Sequence, residues 1–189
     1  MSMHIRIAPR RAIPSNELCE MHLLRARVFR GRLGWEVPVL SGMEIDGYDA
    51  LEPRYMLMRD DATLRGCWRL LPTEGPYMLK DSFPQLLDGQ VAPSDPQIWE
   101  LSRFASVDFN ASTTSALSQF SSELTMKILH EAIACAAAHG AKRLITVSPI
   151  GIERLLRRTG VHAHRAGPPM IIDGHPIFAC WIELDPTGA

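Results

Sequence analysis

The sequence predicts an α/β fold: a single-domain α/β/α sandwich over residues 1–189, with a mixed, mainly antiparallel twisted sheet. Three observations predict it. Two strand-like runs near residues 54–72 are joined by a short acidic turn, as in a hairpin. A long helical pattern at 117–139 lies between the strand-like runs IWELSRFAS (98–106) and RLITVSP (143–149), which makes a parallel βαβ step. The chain has 189 residues and is 46% hydrophobic, enough to bury one core of ordinary size.

The elements follow in order. ELCEMHLLRARVFR (17–30) reads as a helix, with Leu18, Met21, Leu24, Ala26 and Val28 as its apolar positions and Gly31 and Gly34 ending the run. Residues 35–52 hold Pro38, Gly42, Gly47 and several acids without clear periodicity, so an ordered loop is expected there. RYMLMR and LRGCWRLLP follow as a hairpin through DDAT, whose acids suit a turn. Residues 72–96 are rich in Pro and Gly around a short run at 79–87. In the long helix Phe120, Leu124, Ile128, Ala132 and Ala136 step by four, Leu129 and Ile133 widen the stripe, and Gly140 sits where a C-terminal cap belongs. RLITVSP then reads as a buried strand, IERLLRRTG as a short helix stopped by Gly160, and PIFACWIEL as a last strand.

Composition excludes several classes. A net charge of −1 creates no overall field for nucleic acid or anionic lipid. Arg154, Arg157 and Arg158 recur at helical spacing and read as a solvated face, with a local basic patch as the other reading. Cys19, Cys67, Cys135 and Cys180 are scattered and suggest neither a disulfide framework nor a zinc site; Cys67 and Cys135 read as small core residues. MSMHIRIAPRR lacks the apolar stretch of a signal peptide, and no run is long enough to cross a bilayer, so a cytoplasmic location is expected. His162 and His164 could share a strand face, but no third ligand has suitable spacing and no metal is expected. Ser148 lacks the Gly of a nucleophile elbow, and neither a Walker loop nor a dinucleotide fingerprint is present.

Charges inside apolar segments carry the functional signal. Glu100 and Arg103 lie three apart in WELSRF, where strand alternation puts Trp99, Leu101 and Arg103 on one face and Glu100, Ser102 and Phe104 on the other, unless a bulge re-aims one of them. Burying such charges costs several kcal/mol, roughly, unless they are paired or used. Arg25, Arg69, Asp46 and Asp49 also sit in ordered segments, so three arginines meet three acids, as a neutralised buried network requires. Two separate ion pairs with partners elsewhere are the plainer reading. Phe29 and Trp35 flank RGRLG and suit a core or staple as well as a ligand platform.

Taken together, LRARVFRGRLGW, EIDGYD, GCWRLLPT, DSFP and WELSRF resemble the acyl-homoserine lactone synthases of the autoinducer type, from about residue 20 to about residue 160. The residues carrying the resemblance are Arg25, Phe29, Trp35, Asp46, Asp49, Arg69, Phe83, Glu100 and Arg103. The family's fold is like that of the GNAT-type N-acetyltransferases. The resemblance implies a quorum-sensing enzyme that joins an acyl group, from acyl carrier protein or coenzyme A, to S-adenosylmethionine, releasing methylthioadenosine. No permanently bound cofactor is implied.

It further implies roles. Glu100 becomes the general base for the methionyl amine, directly or through a water, with burial raising its pKa. Phe29 and Trp35 would contact the adenosine and sulfonium, with Asp46 and Asp49 setting the field against Arg25 and Arg69, and Phe83 in the same binding set. Arg103 would lie near the pantetheine phosphate or pair within the network. An apolar acyl tunnel would draw on Ser102, Phe104, Met126, Leu129, Thr146 and Ser148, where a Thr146 or Ser148 hydroxyl either meets the third carbon of the chain or bonds ordinary backbone. An acetyl-coenzyme A-dependent N-acetyltransferase of the same fold is the alternative, weakened by the missing glycine-rich pyrophosphate loop before residue 117. A catalytically silent binding relative is a third possibility, opposed by the presence of Glu100 with the full set of charges.

Overall fold

The structure is a computed structural model that describes residues 3–107 and 123–184. It contains a mixed, mainly antiparallel sheet with helices, as the sequence predicts. The chain divides into two compact units, 1–69 with 103–129 and 70–102 with 130–189. No described helix is long and apolar enough to cross a membrane.

In the first unit, β1 (Met3–Pro9) runs antiparallel to β4 (Arg54–Asp60), with Met3 opposite Asp60 and Pro9 opposite Arg54. β5 (Thr63–Pro72) follows β4 through a turn at Asp61, whose φ is 50°. Tyr55, Met56, Leu57 and Met58 are all buried, so β4 reads as a continuous apolar run because both its faces are covered. α1 (Ser15–Ala26) supplies Met21 and Leu24, which join Tyr55, Leu57 and Cys67 in one core. On the alternate positions of β5, Gly66 and Trp68 meet α3 (Glu123–Ala138), where the Trp68 indole N–H donates to the Ile128 carbonyl at 3.1 Å.

α1 continues as a π-helical turn, Arg27–Arg32, marked by the Leu33 N–H donating to the Val28 carbonyl. Gly31 therefore lies inside the helical run and does not end it; Gly34, at φ 67°, follows that turn. The expected loop at 35–52 contains a two-stranded ribbon, β2 (Val39–Leu40) with β3 (Met43–Glu44), and a 3-10 turn at Gly47–Ala50. Elements this short carry no period for a sequence pattern to reveal. β1 also has no sequence-level forecast, since its alternating HIRI is interrupted by charge on an edge strand.

In the second unit, β6 (Ile98–Ser106) pairs in parallel with β7 (Arg143–Pro149), with Glu100 opposite Ile145. With α3 between them these strands form the expected βαβ step. β10 (His175–Glu183) lies antiparallel to β7, to β8 (His162–Arg165) and to β9 (Met170–Ile172). The run at 79–87 resolves into α2 (Met78–Ser82) and a 3-10 turn at Pro84–Leu87. α4 (Ile152–Arg158) buries Ile152 and Leu156 and stops before Gly160, at φ 84°. Ala132 and Ala136 of α3 are buried, and Gly140 caps it at φ 86°, its N–H donating to the Ala137 carbonyl. Residues 117–122 of the expected helix, Phe120 among them, lie outside the described residues.

A side chain at Gly66 has no room. Its Cβ would lie 2.3 Å from Ile128 Cδ1 and 3.0 Å from the Ala105 carbonyl oxygen. Gly66→Ala is therefore expected to destabilise the protein by about 1–3 kcal/mol through overpacking. A thermal melt lowered by several degrees would agree; an unchanged melting temperature would contradict this packing.

Candidate active site

Five segments of the first unit bring charge into one buried cluster. Arg25 comes from the last turn of α1, Glu44 from β3, Asp46 and Asp49 from the 3-10 turn, Arg69 from β5 and Arg103 from β6. The turn is built locally: Asp46 caps it by accepting from the Tyr48 N–H at 3.0 Å, and Asp49 accepts the Asp46 N–H at 2.9 Å. Both carboxylates then project from one rigid loop.

The pairing is dense. Arg25 donates to both oxygens of Asp49, at 2.7 and 3.0 Å, and through Nε to Glu44 at 2.5 Å. Arg69 grips Asp46 with the same two-pronged geometry, at 2.6 and 3.0 Å, and also reaches Asp49 at 2.9 Å. Arg103 Nε lies 3.1 Å from Glu44, and its Nη2 is 2.9 Å from Asp46. The Tyr55 hydroxyl donates to Asp49. Arg25, Arg69 and Glu44 are 0% exposed, so their charges are balanced inside the protein and not by water.

This matches the expected count of three arginines and three acids, but the third acid is Glu44. Glu100, counted there from the sequence, takes other partners. Glu44 lies two residues before Asp46, and that proximity was the available signal; its strand is only two residues long and shows no pattern. Tyr55 was also missed, because a tyrosine in an apolar strand looks like ordinary core.

Titration behaviour follows from the pairing. Burial pushes the Asp49 carboxyl up, but the hydrogen bond and charge of Arg25, then Arg69 and Tyr55, hold it well below the usual carboxylate range. Burial alone would lower Arg25, yet Asp49 and then Glu44 keep it above its ordinary value; Arg69 is likewise raised, chiefly by Asp46 against burial. The Tyr55 hydroxyl is pushed up by burial and by Asp49. Burial also pushes the Cys67 and Cys180 thiols up to about 12, so both are inert core thiols.

Aromatic residues border the cluster. Phe29 and Trp35 stack at 5.6 Å between ring centroids and 11° between planes. The Arg103 guanidinium lies 5.6 Å from the Phe29 centroid, so Phe29 already faces a cation. Arg103 itself has φ 51°, an uncommon left-handed conformation for a non-glycine residue inside a strand. The backbone of β6 is thus irregular where the sequence allowed for a bulge.

Glu100 belongs to the second unit. Its carboxyl is fully buried, and each oxygen accepts a backbone N–H from the first turn of α2: Met78 at 3.1 Å and Leu79 at 2.7 Å. The neighbouring Tyr77 hydroxyl, pushed up by burial and then by the Glu100 charge, donates to the Pro93 carbonyl at 2.7 Å. Phe83 follows α2 and donates its N–H to the Leu79 carbonyl at 3.1 Å.

The acyl-pocket candidates divide by unit. Phe104, Met126 and Leu129 lie in the first, Ser102, Thr146 and Ser148 in the second. Ser102, Leu129, Thr146 and Ser148 are buried, Phe104 and Met126 partly so. The Thr146 hydroxyl donates to the Val147 carbonyl at 3.4 Å, a long local bond. His164 pairs with Glu183 at 2.7 Å and lies 5.8 Å, ring to ring, from His162. Among the described residues no group of three His, Cys, Asp or Glu could hold a metal ion.

Removing one carboxylate from the first unit's cluster leaves a buried guanidinium short of its counter-charge. Asp49→Asn is expected to cost about 3–5 kcal/mol of stability, measured by denaturant unfolding. Because the Asp49 pKa is depressed in the folded protein, its contribution is present above about pH 4 and is lost as pH falls below that. The wild type should therefore lose stability more steeply in acid than Asp49→Asn; parallel acid limbs would contradict the coupling.

Comparison with known proteins bears on the whole chain. The family model described as autoinducer synthase matches residues 11–187. An acyl-homoserine-lactone synthase of Acinetobacter nosocomialis is 51% identical over 161 residues, covering 85% of this chain and 88% of that protein. One from Pseudomonas aeruginosa is 42% identical over 186 residues, covering 97% and 90%. The crystal structure of the AHL synthase LasI superposes with a TM-score of 0.86 at 41% identity, covering 97% of this chain and 91% of LasI. In fold alone, a Lactobacillus plantarum protein assigned to the N-acetyltransferases is similar, with a TM-score of 0.64 at 14% identity. With motifs, fold and near-complete coverage in agreement, the chain belongs to the autoinducer synthase family.

Proposed function

We propose that Glu100 is the base in the acyl transfer carried out by this family, and that the acyl group arrives on acyl carrier protein. The chain is an acyltransferase, an acyl-homoserine-lactone synthase, and S-adenosylmethionine is its small-molecule substrate. The observation that carries this reading is 51% identity to a curated synthase over 85% of the chain. The acetyltransferase alternative shares the fold, but the family match goes to the synthases.

The reaction needs two bonds made and two broken. The methionyl amine loses a proton and attacks the thioester carbonyl; the new amide bond forms as the carbon–sulfur bond of the thioester breaks and the carrier thiol leaves. The substrate carboxylate then attacks its own γ-carbon, closing the lactone as the bond to the sulfonium breaks and neutral methylthioadenosine departs. The second step is intramolecular with a good leaving group, so holding the substrate folded is most of the task.

Supporting Glu100 as the base are its position on a central strand and the two amides that fix its carboxyl in one orientation. Arg25, Arg69, Asp46 and Asp49 act in this reading as a rigid scaffold for the ribbon and turn, with Arg103 held inside that network. Phe29 and Trp35 contribute an aromatic surface for the adenosine. Arg154 and Arg158, both exposed on α4, offer charge to an acidic carrier protein. Arg157 is partly committed, donating through Nε to the Ala163 carbonyl at 2.6 Å, and Arg143 is drawn to Glu183 and the Trp181 ring. Four cysteines free of disulfides suit the cytoplasm, where we place the reaction.

The test is an assay of purified protein with S-adenosylmethionine and matched acyl-carrier-protein and acyl-coenzyme A donors, reading methylthioadenosine release and lactone mass. Failure to form any lactone with either donor series would overturn the reading. Glu100→Gln should cut kcat about 100- to 10,000-fold. It should also lower stability by about 1–3 kcal/mol, because its amide NH2 would oppose one of the two N–H donors. Near-normal turnover would move the base elsewhere. Reversing Arg154 and Arg158 to Glu should raise KM for acyl carrier protein several-fold while leaving KM for S-adenosylmethionine unchanged; an unchanged donor KM would remove this face from the account.

A further inference from the structure

His22 is a buried titratable residue with no place in the charge pairing described above. It lies on α1, one turn before Arg25, and is 6% exposed. Its Nδ1 is 2.8 Å from the backbone carbonyl of Glu44, which can only accept, so Nδ1 carries a proton and donates. This bond joins α1 to β3 beside the Glu44 carboxylate that pairs with both Arg25 and Arg103.

We propose that His22 is a positioning residue whose neutral ring fastens β3 to α1, and that its protonation loosens the Arg25–Glu44–Arg103 pairing and lowers activity in acid. The charged groups bearing on the ring are Arg25 from its own helix, Glu44 from β3 and Asp49 from the 3-10 turn. Glu44 and Asp49 are already engaged by guanidinium groups, so a charged imidazole would enter a cluster whose positive charge is matched. Burial and then Arg25 disfavour the imidazolium, outweighing the pull of Asp49, the Glu44 carbonyl and the Glu44 carboxylate, and the ring titrates below its ordinary value. The unfolded chain takes up the proton first, so this stability is present above about pH 6.5 and drains away as pH falls below it.

The effect on activity rests on the synthase reading; the titration of His22 does not. Nuclear magnetic resonance of the full chain, with the His22 signal assigned by its absence in His22→Asn, should show the ring still neutral at pH values where exposed histidines are charged. Titration of His22 together with the exposed histidines would overturn the proposal whether or not the protein makes a lactone. His22→Asn keeps a donor near the Nδ1 position but cannot take up the proton. Between about pH 6.5 and 5 the folded-to-unfolded ratio of the wild type should fall more steeply than that of His22→Asn, by up to about tenfold per pH unit. kcat of the wild type should fall below that of His22→Asn only at the lower pH where the resonance signal shows the folded ring taking up its proton, whereas His22→Phe, which lacks the donor, should lose activity at pH 7.5 as well. Identical pH profiles for wild type and His22→Asn, or full activity of His22→Phe, would overturn it.

Discussion

The first unit depends on the mutual neutralisation of three guanidinium groups and three carboxylates, of which Arg25, Arg69, Glu44 and Asp49 are buried and Arg103 and Asp46 partly exposed. No single pair in this set is a simple gain, because removing two charges from water costs about as much as their attraction returns. The set is stable through its completeness: the three arginines Arg25, Arg69 and Arg103 each meet carboxylates at hydrogen-bonding distance, and Asp49 is shared between two of the arginines and a tyrosine. Such a network is intolerant of displacement. It locks a helix end, a two-residue ribbon, a 3-10 turn and two strands into one arrangement that their short apolar patterns alone would not specify.

β6 contains two different answers to the problem of a charge in a strand. Arg103 meets two carboxylates and adopts a left-handed backbone conformation to do so. Glu100 accepts two backbone N–H groups of α2, from Met78 and Leu79, one on each carboxyl oxygen. Two such bonds fix the Glu100 carboxyl in one orientation. A carboxylate clamped by two arginines, like Asp49, is a poor proton acceptor, because its protonated form is strongly disfavoured.

Much of this was legible in the residues. The hairpin, the long helix with its Gly140 cap, the β6–α3–β7 step and the last strand follow from period and punctuation, because long elements repeat their pattern often enough to be read. The motifs around Arg25, Asp46, Arg69 and Glu100 likewise pointed to the autoinducer synthases, and the family match agrees. The ribbon at Val39–Glu44, the N-terminal strand and the π-helical turn were not legible. The first two are short or edge elements without a clear period, and the third differs from an α-helix only in which carbonyl accepts.

By itself the sequence determined which charges lie in apolar segments, how many of each sign there are, and which family they match. It could not determine who pairs with whom. Glu44, not Glu100, completes the arginine set, and Glu100 turns to the amides of residues 78 and 79. Pairing is a property of distance, and groups separated by 19 to 59 positions along the chain acquire a distance only when the fold brings them within 3 Å or so of one another.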